Sequence, residues 1–479
     1  MLDKFYEQLG GTTSVSTIVI VVGMMLLFGF LMTRLTKRLH LPNVTAYLAV
    51  GIIMGPFCLN LVPGEIRSGM SFLNDIALAF IAFSIGQFFR LSNLKENGFK
   101  TIIIVLIEIG VSSLLIFGVM RYIFKCSIPV SMVFAALAAV TSPTSTMMTI
   151  RQKKAQGRFV NNLLEVLALD NLIALLAYSV AISLTVASEA TSDITIGTLL
   201  KPLGLNMLSI VIGMAFGAIL RLMMPKSRTT DNRLIILVAF IFSFCGICAA
   251  LDVSPLLGCM LMGTVYINIS QDDKSFSQLN YFSPPFLLLF YVLSGTNFNL
   301  SLLFGSSSNS LGISIMVASL LYCIVRYAGK YGGTVLGGIV TKQNKSVTYY
   351  TGLALMPQGG VAIGLAALTL RVIPGEMGSV IQTIILTTSI IYEIIGPALA
   401  SVALDLSKST LTIEDITHVE TANKSSVEIL TERIQAIQKG LPQNTSTNDS
   451  YLNYNDEDSF EEAAEEYYNS NGFRGHFRR

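Results

Sequence analysis

Long apolar segments, separated by short polar loops, run through most of the chain. A membrane-spanning helix needs about 20 mainly apolar residues, and thirteen segments meet that requirement. The pattern therefore predicts an all-α polytopic membrane protein with about 13 transmembrane helices, within a membrane domain of residues 1–405. The predicted spans lie near residues 16–34, 43–62, 72–90, 101–123, 129–150, 160–187, 203–224, 233–251, 254–270, 282–303, 311–340, 347–371 and 377–404.

Composition supports this prediction and excludes several classes of function. The chain is 52% hydrophobic and 13% charged, and its mean hydropathy is +0.62, which is typical of a polytopic membrane protein. A net charge of +2 gives no reason to expect a nucleic-acid partner. The three histidines, His40, His418 and His476, lie outside the predicted spans. We therefore expect no enzymatic activity, no cofactor and no histidine-bound metal.

Basic residues are concentrated in alternate loops between the spans. Seventeen lysines and arginines lie in the loops of one side, and six lie on the other. The positive-inside rule makes the richer side cytoplasmic. We therefore predict a multi-pass protein of the cell membrane, with its N-terminus outside and its C-terminus in the cytoplasm.

Residues 406–479 differ from the rest of the chain in being mostly polar and charged. Such a composition cannot bury enough apolar surface to fold alone, so we expect a largely disordered cytoplasmic tail. The tail has no G-x-G-x-x-G motif and is shorter than a nucleotide-binding domain of about 100 residues. No nucleotide-binding domain is therefore expected in this chain.

Two predicted spans carry a proline deep within an apolar segment. The fifth span contains TSPTST and the twelfth contains MPQGG. A proline inside a helix removes a backbone hydrogen bond and disrupts the preceding turn, and in a membrane an unwound backbone persists only around a cavity or within protein. We therefore predict two broken helices that cross at Pro143, Thr144, Pro357, Gln358, Gly359 and Gly360.

The two breaks occupy equivalent positions if spans 4 to 6 repeat as spans 11 to 13. Seven spans separate the copies, so the two copies would have opposite orientations in the membrane. Inverted repeats with broken helices at mid-membrane are typical of secondary transporters. The predicted core is therefore formed by helices of residues 101–187 and 311–404.

Charged side chains inside the spans are candidate site residues, because a charge at bilayer depth costs about 3 kcal/mol or more. Asp170 lies one span after the first break, and Glu393 lies one span after the second. Arg326 and Lys330, four residues apart, share one face of the eleventh span. We expect these two cations to pair with the two acids. The alternative is that all four form structural salt bridges only.

Two further acids fall inside predicted spans, Glu108 in the fourth and Glu165 in the sixth. Glu165 lies five residues before Asp170 and on a different helix face. It is a candidate for the cytoplasmic entrance to the site. The alternative for Glu165 is a boundary residue that reaches toward water.

Several of these segments together carry a resemblance to a known family. They are LPNVTAYLAVGIIMGP, TSPTST, LALDN, VRYAGKYGG, LMPQGGVAIGLA and YEIIGP, spread over most of residues 15–405. With these motifs the chain resembles the monovalent cation:proton antiporter-2 family, within the superfamily of sodium/proton exchangers. The resemblance implies a homodimer in which a mobile core slides, like an elevator, against a dimerisation domain.

The order of two residues in the sixth span departs from the family pattern. Many electrogenic relatives have two adjacent aspartates there and many electroneutral ones have Asn-Asp, whereas this chain has Asp170-Asn171. Alignment with the family implies that Asp170 takes the first position, which pairs with the lysine of the eleventh span, here Lys330. Asn171 then takes the principal ion-binding position. A shift of one residue would reverse this assignment, so the stoichiometry stays open.

The sequence thus predicts an antiporter that exchanges a monovalent cation for protons across the lipid bilayer. Asp170 would bind either the cation or a proton, and Thr141, Ser142 and Asn171 would supply neutral oxygens. Sodium at Asp170 is the expected cation, with lithium and potassium as possible substrates. Potassium/proton exchange is the alternative within this class, and a non-transporting sensor or channel-like subunit is the alternative outside it.

Overall fold

The computed structural model describes residues 14–38, 43–190, 196–224, 230–251, 253, 255–304 and 314–409. All regular structure within these residues is helical, as the sequence predicts. The helices are α1 Val15–Arg38, α2 Asn43–Met54, α3 Gly64–Gly69, α4 Phe72–Gly86, α5 Leu91–Gly118, α6 Ile128–Ala139, α7 Pro143–Gln152, α8 Arg158–Ala190, α9 Ile196–Met223, α10 Thr230–Ala250, α11 Leu256–Ser270, α12 Lys274–Phe282, α13 Pro284–Thr296, α14 Leu300–Phe304, α15 Ile315–Val340, α16 Lys345–Ala354, α17 Gly360–Val372 and α18 Glu376–Leu406.

Each of the thirteen predicted spans overlaps at least one of these helices. Seven helical segments of the described chain are long and apolar enough to cross a membrane, and five shorter apolar helices accompany them. Multi-pass membrane character therefore follows from helix length and composition. The number of crossings, about 13, and the orientation of the termini stay predictions, and the predicted tail beyond residue 409 lies outside the described residues.

One helix ends earlier than predicted because proline and glycine interrupt its apolar run. The second predicted span extends to residue 62, but α2 ends at Met54. Pro56 follows directly after Gly55, and a residue before proline is disfavoured in helical conformation. Asn60 then adopts a left-handed backbone with φ of 50°. Hydrophobicity alone therefore overestimated the length of this helix.

The surface of several helices is apolar. On α9, Val211 is 57% exposed and Leu222 is 82% exposed, and Ile235 on α10 is 64% exposed. Apolar surfaces of this extent are rare on water-soluble proteins. These apolar faces are suited to contact with lipid tails.

The most extensive helix contacts form two groups, which contacts of α8 with α9 and of α17 with α4 join. In one, α5 packs against α15, α6 and α8, while α18 packs against α16 and α17. In the other, α11 packs against α9 and α4, and α13 packs against α2. The first group contains both proline-interrupted spans and all of the buried charges predicted for the site.

Candidate functional site

The fifth and twelfth predicted spans, which carry TSPTST and MPQGG, are each divided into two helices. The first is unwound between the end of α6 at Ala139 and the start of α7 at Pro143. The second is unwound between the end of α16 at Ala354 and the start of α17 at Gly360. The backbone N–H of Ser142 donates to the carbonyl of Pro357 at 2.8 Å, so the two unwound segments bond directly to each other.

Side chains satisfy backbone groups that the breaks leave free. The Thr146 hydroxyl donates to the carbonyl of Ala354 at 3.0 Å, and the Gln358 amide donates to the carbonyl of Leu137 at 3.0 Å. Each bond joins the first broken span to the second. Buried backbone groups require such partners in a membrane, which accounts for polar residues at these positions in an apolar sequence.

Arg326 connects both unwound segments. Its side chain is fully buried, and its guanidinium nitrogens donate to three backbone carbonyls: Nε to Ala138 at 2.9 Å, Nη2 to Val140 at 2.8 Å and Nη1 to Met356 at 3.1 Å. The guanidinium also lies 4.6 Å from the ring centre of Tyr392. The prediction that Arg326 pairs with one of the two acids is therefore wrong, because its guanidinium donates instead to carbonyls that the breaks leave free.

Lys330 lies between two carboxylates. Its Nζ is 2.7 Å from Glu108 Oε1, and 3.0 and 3.3 Å from the two oxygens of Asp170. All three side chains are fully buried. The hydroxyl of Thr141, in the first unwound segment, donates to Asp170 Oδ2. The structure thus brings Asp170, Lys330 and Thr141 together and adds Glu108. We call Glu108, Lys330 and Asp170 the charge cluster.

Close packing of α5 against α15 places Glu108 beside Lys330. Gly329, Gly333 and Gly337 form a stripe at four-residue spacing along α15, and each faces the backbone of α5. A Cβ added to Gly333 would lie 2.6 Å from Glu108 Cα. Small residues let membrane helices approach in this way. The glycine stripe is a sequence signal that another helix approaches α15 closely near Lys330, but only the packing of α5 identifies Glu108 as the partner.

Replacing Gly333 with alanine is therefore expected to move Glu108 away from Lys330 and to reduce strongly the cation/proton exchange that the sequence predicts. The added methyl group would meet backbone atoms of α5, which cannot yield as a flexible side chain does. Gly332→Ala is the matched control, because nothing lies within 4 Å of a Cβ at Gly332. Ion flux in reconstituted vesicles checks this, and equal flux in both variants would contradict it.

The side chain of Asn171 has different hydrogen-bond partners from that of its neighbour Asp170. Its amide nitrogen donates to the carbonyl of Leu167 at 2.9 Å, a bond within α8. Its Oδ1 is buried and accepts no hydrogen bond within the described part of the chain. Asp170, and not Asn171, contacts Lys330, which is the arrangement that alignment to the first position of the family motif implies.

Glu393 lies beside the second break. Its carboxylate is hydrogen-bonded to a serine, whereas the sequence predicts an ion pair with a buried cation. Ser145 donates to both of its carboxylate oxygens, at 3.0 and 2.9 Å. A Cβ on Gly359 would overlap Glu393 Oε1, so a side chain at that position would displace the carboxylate. The Ser142 hydroxyl lies 3.1 Å from that of Ser145. Among the described residues, Glu393 forms no ion pair with a lysine or arginine.

Glu165 lies apart from the charge cluster. It is 6% exposed and accepts a hydrogen bond from Thr101 at 3.3 Å. It also lines a small cleft with Phe89, Arg90 and Ala168. The cleft is compatible with the expected entrance, which stays a prediction.

Comparisons with known proteins identify relatives whose names describe cation/proton antiporters. The ammonium/H(+) antiporter subunit AmhT of Alkalihalophilus pseudofirmus is 21% identical over 350 residues, which cover 72% of this chain and 85% of the relative. The probable Na(+)/H(+) antiporter 3 of Methanocaldococcus jannaschii is 22% identical over 300 residues, covering 60% of this chain and 74% of the relative.

A solved structure shares the fold. The sodium proton antiporter MjNhaP1 of Methanocaldococcus jannaschii, determined at pH 8, matches with a TM-score of 0.66 and 19% identity. The match covers 82% of this chain and 98% of that chain. The sequence model described as "Sodium/hydrogen exchanger, transmembrane" matches residues 18–401. With this match over most of its length and the shared antiporter fold, the chain belongs to the sodium/hydrogen exchanger family.

Proposed function

We propose that this protein exchanges a monovalent cation, sodium in the first instance, for protons across a cell membrane. The observation that carries the proposal is Asp170, a fully buried carboxylate at the crossing of two unwound segments. A carboxylate there binds a proton or a cation but not both at once. Competition at one site then couples the two fluxes.

Neutral oxygens would complete the proposed cation position. The hydroxyls of Thr141 and Ser142 and the unpaired Oδ1 of Asn171 are available to replace water around a small cation. Sodium would thus be the substrate, bound by Asp170, rather than a resident cofactor. The contact of Ser145, in the first broken span, with Glu393, beside the second break, would help to hold the two breaks together.

The motifs of residues 41–56, 141–146 and 325–333 support assignment to the monovalent cation:proton antiporter-2 branch of the family. That branch implies a homodimer, an inverted repeat and an elevator-like movement of the core. The matched breaks at Pro143 and Pro357 support the repeat, because each divides one helix at the same step of its three-helix unit.

A vesicle experiment tests the proposal directly. The purified chain would be placed in vesicles with a pH-sensitive dye inside, and sodium, lithium, potassium or ammonium would be added outside. We expect cation-dependent proton movement with sodium. Potassium is the alternative substrate of the same class, and ammonium is included because a relative bears that name. No proton movement with any of the four cations would favour the non-transporting alternative.

Removal of the residues after Thr410 is expected to leave exchange intact. The tail contains no spanning segment and no recognisable binding motif, whereas the charge cluster and both breaks precede it. Exchange by the truncated chain in vesicles is the measurement. Complete loss of exchange in a correctly inserted truncation would make the tail part of the mechanism, and an altered pH profile would indicate regulation.

A further inference from the structure

The charge cluster contains two acids and one base, and none of the three side chains is exposed. With all three groups ionised its net charge is −1. A net charge inside a membrane protein is costly. One proton or one monovalent cation makes the cluster neutral, and a second cation would make it positive.

The position of Glu108 determines what happens to Lys330 when a cation arrives. A cation at Asp170 must displace the ammonium group from that carboxylate. Glu108 Oε1 is already 2.7 Å from Lys330 Nζ, closer than either oxygen of Asp170. Lys330 can therefore stay ionised against Glu108 without any helix moving, because α5 and α15 are held together by the glycine stripe.

We infer that Glu108 is a positioning residue that holds Lys330 in its charged form while Asp170 binds the cation, so that exchange is one cation for one proton without net charge. This inference rests on the proposed function. In each cycle one cation binds the Asp170 carboxylate, one proton leaves the cluster for water, and the ammonium group of Lys330 keeps its protons. The loaded cluster is neutral with either substrate.

Charge movement in the unmodified protein is the first test. Vesicles would be adsorbed to a sensor that records current, and proton movement would be followed in parallel with the pH dye, using sodium as the cation. We expect proton movement without a transport current. A current proportional to sodium transport would overturn the inference, because it would require Lys330 to release its proton as well.

Glu108→Gln is the second test. Without the second acid, sodium must compete with the Lys330 ammonium for Asp170 alone. An opposite charge within 4–6 Å shifts a proton-binding equilibrium by about one to three powers of ten. We expect loss of the Glu108 charge to act on the displaced Lys330 ammonium with a similar magnitude, so the apparent KM for sodium should rise about tenfold or more. Glu108→Asp keeps the charge and should restore a KM near that of the wild type. A KM in Glu108→Gln within about twofold of the wild type would also overturn the inference.

Controls separate this inference from the proposed function and from folding defects. Glu65→Gln removes an acid on the exposed helix α3 and should leave the KM unchanged. If Glu108→Gln fails to fold, two measurements still test the inference. They are the transport current of the wild type and the KM of Glu108→Asp for sodium. Absence of all exchange in the wild type would defeat the proposed function, and this inference with it. Exchange in the wild type with a current would defeat this inference alone.

Discussion

Asp170→Asn is expected to abolish cation-dependent proton movement and to leave the protein folded. The substitution removes the carboxylate that contacts Thr141 in the unwound segment but preserves its shape. Lys330 keeps Glu108 as a counter-charge, so the variant leaves no unpaired buried cation. Loss of an essential binding group should lower the rate by several powers of ten.

Proton movement in vesicles measures this effect, and size-exclusion chromatography of the purified variant measures its folding. Asp75→Asn is the matched control, since Asp75 forms a partly exposed pair with Arg371 at 3.0 Å and such pairs contribute little to stability. Retention by Asp170→Asn of more than about a tenth of wild-type exchange would show that the site lies elsewhere.

Arg326→Lys is expected to cause the largest loss of stability. A lysine ammonium is a compact point charge without the planar fork of the guanidinium, so it cannot reach the carbonyls of Ala138, Val140 and Met356 together. Each buried carbonyl left without a partner costs about 1–3 kcal/mol. We therefore expect the two unwound segments to separate and the free energy of unfolding to fall by several kcal/mol.

Thermal unfolding in detergent checks this prediction. The chain has no tryptophan, but five of its cysteines are buried, so a thiol-reactive dye reports unfolding. Arg371→Lys, at the partly exposed pair with Asp75, is the control. An unfolding temperature of Arg326→Lys within about 2 °C of the wild type would contradict the bridging role of the guanidinium.

The sequence alone predicted much of this architecture, because bilayer-length apolar runs and intramembrane prolines have few structural solutions. Pro143 and Pro357 located both breaks to within a few residues. The need of a buried charge for an opposite charge indicated only that two acids and two cations would pair. The resemblance to the antiporter family implied that Lys330 is the partner of Asp170.

The tertiary structure decided which partner each charge takes. Arg326 and Lys330 lie one turn apart on α15, and their sequence environments do not distinguish them. Only the crossing of the unwound segments shows that Arg326 meets free carbonyls, and only the close approach of α5 at Gly333 shows that Glu108 reaches Lys330. Periodicity and composition report the face of a helix, whereas the separation and register of two packed helices depend on side chains from distant parts of the chain.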